Sequence, residues 1–273
     1  MNIILRSIKY YWLSVFFIAF SCYGKQPPEL VYTANAGVML KTDKGNIFID
    51  SIFKLHKNWG GFRYSHLSEQ QQHEIINGIG DFSEVRLVLA THIHRDHFHP
   101  ELVGHVLKNN PTARLFANQQ ITESVLEGFV NSNPIRDQLI QYSPQRTSWQ
   151  DEDIQVTIFP VPHGGSRHQW IDNSLIMLEV NGHKFLHLGD AVVDNQSFAK
   201  YNFPEQKIDT LITPHWFLTG KGKQIINHHI KPERIIALHL PPDKTRQNKI
   251  KKAVQNLYPN LTIMVKNMAL IEQ

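Results

Sequence analysis

A single cysteine, Cys22, excludes a disulfide scaffold. No uninterrupted apolar run reaches the roughly 18 residues of a membrane-spanning helix. Charge of either sign is scarce: 28 basic residues stand against 24 acidic ones, a net charge of +4. Charged residues make up only 19% against 41% hydrophobic, which excludes a wholly disordered chain and a coiled coil. What the chain has in excess is histidine, 16 residues, so a metal site built on imidazole is open from the outset.

The first residues read as a leader rather than as part of the fold. Arg6 and Lys9 precede an apolar stretch from Tyr10 to Phe20, broken only by Ser14. That stretch is too short to span a bilayer and fits the core of a signal peptide, about 7–15 residues. Residues 1–24 are therefore expected to direct export, leaving a mature domain over residues 25–273. Cys22 lies just past the apolar core, in Ala19-Phe20-Ser21-Cys22, where a bacterial lipoprotein carries its lipidated cysteine. Two destinations stay open: a free periplasmic or exported protein, and one anchored to the cell envelope through Cys22. Without Arg6 and Lys9 the net charge falls from +4 to +2, which gives no support for nucleic-acid binding.

Apolar periodicity and turn signals predict alternating strands and helices. Strands are expected over residues 30–33, 37–41, 46–50, 85–90, 114–117, 154–159, 174–180, 183–188, 210–213, 235–240 and 261–265, the last closing the chain. Helices are expected over residues 68–77, where Ser68 and Gln71 form a capping box, and over 101–109, 120–130, 223–229 and 244–257. Asn181-Gly182 is the strongest hairpin signal. No repeat or long linker divides the chain, so a single α/β domain follows. Residues 53–64, with Phe53, Trp59, Phe62 and Tyr64 around Gly60-Gly61, read either as a mobile flap or as a packed surface loop. The basic cluster Lys244, Arg246, Lys249, Lys251 and Lys252 reads as the wet face of the last helix.

The chemistry concentrates in Thr91-His92-Ile93-His94-Arg95-Asp96-His97-Phe98-His99-Pro100. Four histidines and a carboxylate follow directly on the apolar run 85–90, so the ligand types sit on a loop held by a buried strand. Imidazole and carboxylate together suit zinc and similar ions. Three other apolar strands end in a ligand type: 158–162 runs into His163, 184–189 into Asp190 and 235–238 into His239. In a sheet-based fold those ends converge on one rim. His99 and His187 are placed to orient ligands. His215, which follows Pro214, and Trp216 are candidates for the substrate pocket, and His187 is a further candidate there. His168, close to His163 in sequence, is grouped with the surface histidines.

The set His-x-His-x-Asp-His at 92–97, then His163, Gly189-Asp190 and His239, resembles the metallo-β-lactamase-fold hydrolase superfamily over nearly the whole mature chain. The resemblance implies a four-layer αββα sandwich with a metal centre at the rim of two sheets. It implies that His92, His94 and His163 hold one metal ion, that Asp96, His97 and His239 hold a second, and that Asp190 bridges both. Two zinc ions are implied, with Mn2+ or Fe2+ also compatible. In such pairs the ions lie roughly 3.5–4 Å apart and share a hydroxide. Bound water is then acidified from about 15.7 to about 7. Asp190 and Asp96 are the implied catalytic carboxylates, Asp96 as a proton relay to the leaving group.

The absence of cysteine after residue 22, and the bridging Gly-Asp pair, depart from the β-lactam-cleaving members. Histidine in place of glutamate at the second ligand position departs from the flavin-linked di-iron branch. The similarity is strongest to the branch with sugar-lactone hydrolases and phospholipase-D-like phosphodiesterases. A hydrolase of a small ester, lactone or phosphodiester is therefore expected. A mononuclear iron oxygenase on the same fold and a non-catalytic metal-binding protein are the alternatives. Oligomeric state is not legible.

Overall fold

The structure is a computed structural model that describes residues 26–54, 64–129, 133–143 and 147–272. The expected leader 1–24, with Cys22, and most of the aromatic segment 53–64 lie outside the described residues. No described helix is long and apolar enough to cross a membrane.

The first half opens with strands β1 (Glu29–Tyr32), β2 (Val38–Thr42) and β3 (Gly45–Ile49), paired antiparallel. Helix α1 (Glu69–Asn77) starts on Ser68, whose hydroxyl accepts from the Gln71 N–H while the Gln71 side chain accepts from the Ser68 N–H. That is the expected capping box. There follow β4 (Val85–Leu89), α2 (Pro100–Asn109), β5 (Arg114–Ala117), α3 (Gln119–Gly128) and β6 (Leu139–Gln141), with β3 to β6 parallel.

The second half begins with β7 (Ser148–Asp151), β8 (Ile154–Pro160), β9 (Ser174–Val180) and β10 (His183–His187), each antiparallel to the one before it. Asn181 and Gly182 between β9 and β10 both have positive φ, 55° and 83°, as the tight hairpin turn requires. Short helices α4 (Asn195–Ala199) and α5 (Phe203–Gln206) lead to β11 (Thr210–Pro214). Helix α6 (Gly220–Gln224) widens into a π-helical turn over Ile225–Ile230. β12 (Arg234–Leu238), α7 (Lys244–Val254), β13 (Leu261–Ile263) and β14 (Ala269–Ile271) complete the chain.

Two seven-stranded sheets result, ordered β14-β1-β2-β3-β4-β5-β6 and β13-β12-β11-β10-β9-β8-β7. The strand expected to close the chain does not do so. β14 follows it and pairs antiparallel with β1, placing Ile271 opposite Leu30. Side-chain alternation explains the layering. In β3, Ile47 and Ile49 face the apolar layer between the sheets, which also holds Leu40, Leu87, Val156, Leu178 and Ile236. Phe48, between them, faces the layer under α1 to α3 with Val103, Val106 and Ile121. On the other side Leu186, Leu188, Phe198 and Phe217 pack under the helices of the second half. A strand buried on both faces reads as a continuous apolar run, and two such sheets back to back give the four-layer αββα sandwich.

Strand direction fixes one rim. β1, β3 and β4 run the same way in one sheet, and β8, β10, β11 and β12 in the other. Their C-terminal ends carry Asn35, Asp50, the 91–97 loop, His163, Asp190, His215 and His239.

Candidate metal centre

The loop after β4 is short and turned back on itself. The His97 and Phe98 N–H groups both donate to the His94 carbonyl, at 3.0 and 2.9 Å. The turn brings His92 and His94 to one side and Asp96 and His97 to the other. His92, His94, His163 and Asp190 form one donor group, and Asp96, His97 and His239 a second; within each, the donor atoms lie within 4.8 Å of one another. All seven ligand candidates expected from sequence are thus brought together.

Asp190 faces both groups. Its Oδ2 lies 3.7 Å from His163 Nε2, and its Oδ1 lies 3.5 Å from the Nε2 atoms of both His97 and His239. Asp96 Oδ2 lies 3.4 Å from His239 Nε2. Facing nitrogens approach closely, His92 Nε2 to His94 Nδ1 at 3.0 Å and His97 Nε2 to His239 Nε2 at 3.2 Å.

The outer nitrogens are occupied. His92 Nδ1 meets Thr91 Oγ1 at 2.9 Å, His163 Nδ1 donates to the Gly164 carbonyl at 2.5 Å, and His97 Nδ1 donates to Asp50 Oδ2 at 2.8 Å. Each inner Nε2 is thereby aimed at the centre. His163 Nε2 and Asp190 Oδ1 are buried without a hydrogen-bond partner. Orphaned acceptors of this kind, crowded with imidazoles, fit divalent cations: nitrogen and carboxylate donors of the right chemistry already stripped of water.

Electrostatics agree. Burial drives His92 well below the usual imidazole range and His94 down to about 4, so both are neutral at physiological pH. Burial also lowers His163. Burial would lower His97 too, but the carboxylates of Asp190, Asp50 and Asp96 outweigh it and hold His97 well above its ordinary value. Against its own burial, Asp190 is held well below the carboxylate range by His239 and His97.

With its pKa raised, His97 carries a proton at neutral pH that a cation must displace. Metal uptake at neutral pH is therefore expected to release a proton and to weaken as pH falls. Calorimetric titration of the metal in buffers of different ionisation enthalpy measures that proton. In the metal-free protein the sign for stability is the reverse. The contribution of protonated His97 is full below its unfolded pKa and is lost as pH rises through its raised folded value.

Asp50 was not among the sequence candidates, yet it holds the floor of the site. It accepts from the Thr91 N–H (2.7 Å), the Thr91 hydroxyl (2.7 Å) and His97. It ends the apolar strand β3 in the same pattern that marks His163 and Asp190, so the signal was present in the sequence. Asn35 was also missed. Its amide donates to Asp96 Oδ2 (3.2 Å), and its carbonyl accepts from the His239 N–H (2.8 Å). No sequence motif marks it, because the contact spans 61 residues to Asp96.

Two expectations need correction. His187 does not reach a substrate pocket. It is fully buried, donating from Nε2 to the Ala36 carbonyl (2.8 Å) and accepting at Nδ1 from the Gly189 N–H (3.0 Å). It braces the turn before Asp190 instead. His168 is not a plain surface residue, since its ring stands edge-on to His94 at 4.8 Å and lies 5.0 Å from His163. Lys244, Arg246, Lys249 and Lys252 of α7 are exposed, as expected of a wet face, and Arg246 and Lys249 also line a cavity. His99 occupies the position just before α2 and contributes no donor to either group.

His215 and Trp216 lie beside the centre. His215 Nδ1 donates to the His239 carbonyl at 2.8 Å, and the Trp216 ring stands 5.1 Å from the His239 ring. Both line a cavity of 780 Å³ together with Tyr64, Asp190 and His239. Of the aromatic segment, Phe53 is buried in the core and Tyr64 stands edge-on to His239 at 4.9 Å.

Gly189 sets the approach to Asp190. Its φ is +53°, and a Cβ there would lie 2.6 Å from Thr91 Cβ and 2.8 Å from Asn173 Oδ1. Gly189→Ala is expected to lower stability by about 1–3 kcal/mol and to reduce bound metal, since it presses on the residue before His92. Thermal unfolding and elemental analysis of the variant check both effects.

A family model for the beta-lactamase superfamily domain matches residues 46–247. Among solved structures the chain is similar to Igni18, a metallo hydrolase from the archaeon Ignicoccus hospitalis, at 15% identity and TM-score 0.60, over 90% of this chain and 98% of that one. It is similar to an isothiocyanate hydrolase from Delia radicum gut bacteria at 14% identity and TM-score 0.58, over 90% and 99%. It is also similar to CmlA, a diiron β-hydroxylase from Streptomyces venezuelae, at 12% identity and TM-score 0.59, over 91% and 54%. At these identities the likeness is one of fold. No curated protein matches the chain.

Proposed function

This chain belongs to the beta-lactamase superfamily, and from that membership and the geometry of its rim we propose that it is a hydrolase with two divalent cations, zinc by preference, acting on a small-molecule ester, lactone or phosphodiester. The observation that carries the reading is Asp190, whose two carboxylate oxygens face two different donor groups. His92, His94 and His163 would hold one ion, and Asp96, His97 and His239 the other, with Asp190 shared. Ions bound there supply Lewis acidity and lower the pKa of water toward neutrality.

The chain's own residues do the rest. The Asp190 anion offsets the repulsion between two cations. Asp50 fixes the His97 ring through Nδ1. Asn35 fixes Asp96, leaving its ionised carboxylate beside His239, where it would accept the proton lost by the attacking water and pass it to the leaving group. Burial lowers the pKa of His215, which donates from Nδ1 to the His239 carbonyl and so keeps Nε2 as a hydrogen-bond acceptor for substrate. Trp216 and Tyr64 give that substrate an apolar wall. The leader expected at residues 1–24 from Arg6, Lys9 and the apolar stretch Tyr10 to Phe20 would direct export, either as a free periplasmic protein or anchored to the envelope through Cys22. The near-neutral charge of the mature chain supports a small-molecule substrate over a nucleic acid.

Elemental analysis of the purified protein tests the reading. About two zinc ions per chain, with turnover on an ester, lactone and phosphodiester panel, is the expected result. Iron in their place, with oxygen consumption, would favour an oxygenase, the activity class of the similarly folded CmlA. No bound metal after reconstitution with zinc, manganese and iron would overturn the reading altogether.

A further inference from the structure

The cavity beside the metal centre has one wall that the hydrolytic reading does not use. Helix α7 presents Arg246, Lys249 and Ile250 to it. These positions, three and four residues apart, share one helical face. The same cavity is lined by Asp190, His215 and His239. A molecule filling the cavity therefore touches both the metal centre and two cations.

Those cations are uncommitted. Among the described residues Lys41, Lys44, Arg86 and Lys184 all have acidic partners, whereas Arg246 and Lys249 have none. The nearest acid in sequence, Asp243, also lines the cavity but is engaged as the helix cap, its Oδ1 accepting from the Arg246 N–H at 2.8 Å, and it makes no ion pair with Arg246 or Lys249. The connection from His239 to Arg246 is also stiff. It contains Pro241 and Pro242, and the Pro241 carbonyl accepts from Gln247 Nε2 at 2.9 Å. The distance from reaction centre to cationic wall is thus set by a short braced segment rather than by a free loop.

We infer that Arg246 and Lys249 are a specificity site for a carboxylate or phosphate group carried by the substrate away from the bond that is cleaved. Resting on the proposed hydrolase, the inference narrows its substrates to anionic ones. Guanidinium and ammonium groups select an anion, with the planar arginine fork suited to both carboxylate and phosphate. Ile250 and Trp216 accommodate the apolar part of the substrate. Because both cations are exposed to solvent, the preference is screened by salt.

The test compares matched substrates, identical at the cleaved bond, with a neutral or a carboxylate-bearing tail. The readout is the ratio of kcat/KM, anionic over neutral, in wild type and in the Arg246→Glu/Lys249→Glu variant. Bound metal is measured in both, so that a collapsed centre is not mistaken for a lost contact. Wild type is expected to favour the anionic member by about five- to thirtyfold at low salt, falling as salt rises. In the variant the ratio is expected to drop below one and to rise with salt. An equal ratio in the two proteins, or one indifferent to salt, would overturn the inference.

Absence of turnover on every pair would count against the proposed hydrolase rather than against this site. The site is then read by calorimetry with inorganic phosphate on the metal-loaded proteins. At least about fivefold tighter binding by wild type is expected, and equal affinity would overturn the inference.

Discussion

Asp190→Ala is expected to abolish turnover and to cut bound metal from two ions per chain to one or none. Asp190 has atoms facing both donor groups, Oδ2 toward His163 and Oδ1 toward His97 and His239. Its removal leaves seven buried or half-buried donors reduced to two sets of three, each all or mostly imidazole. Two cations would then face each other without a shared anion. If the centre contributes several kcal/mol of transition-state stabilisation, its loss is about a thousandfold or more in kcat/KM. Asp190→Asn is the sharper comparison, because an amide keeps the shape while losing the charge and one acceptor. Elemental analysis and steady-state rates report the two effects together. Retention of two ions and near-wild-type rates in both variants would remove the shared carboxylate from the mechanism.

Asp50→Ala is expected to damage both the fold and the centre. The carboxylate is 1% exposed and accepts three hydrogen bonds, two from Thr91 and one from His97. Deleting it strands three buried donors, each costing about 1–3 kcal/mol when unmet. Partial relaxation brings the expected loss to roughly 3–5 kcal/mol, the range for breaking a buried charged pair. The His97 ring would lose the bond that fixes its tautomer, and metal affinity is expected to fall about 10–100-fold. Denaturant unfolding of the metal-free protein isolates the first effect, and metal titration the second. A stability change below about 1 kcal/mol would show that Thr91 and His97 find other partners.

Strands that end in ligand types make much of the centre legible along the chain. His92, His94, Asp96 and His97 are adjacent in sequence, and a buried strand running directly into such a set marks a metal-binding loop. Asp50 ends β3 in the same way, but a lone carboxylate after a strand is common and does not stand out. Asn35 could not be seen, since its contacts join segments far apart in the chain. β14 was missed for a related reason. Its three residues carry no periodicity, and β1 alone gives it a partner.

The sequence by itself determined an α/β domain of alternating strands and helices, the histidine and aspartate residues that end its strands, and the chemistry open to them. Local apolar runs, turns and side-chain types hold that information without reference to distance. Only the tertiary structure decided that Asp190 looks both ways, that His187 braces a turn instead of meeting substrate, and that Arg246 and Lys249 line the same cavity as Asp190. Those outcomes depend on the direction in which a side chain leaves its strand or helix and on what another part of the chain places opposite. Such placement comes from packing two sheets and their helices together, and spacing along the chain does not encode it.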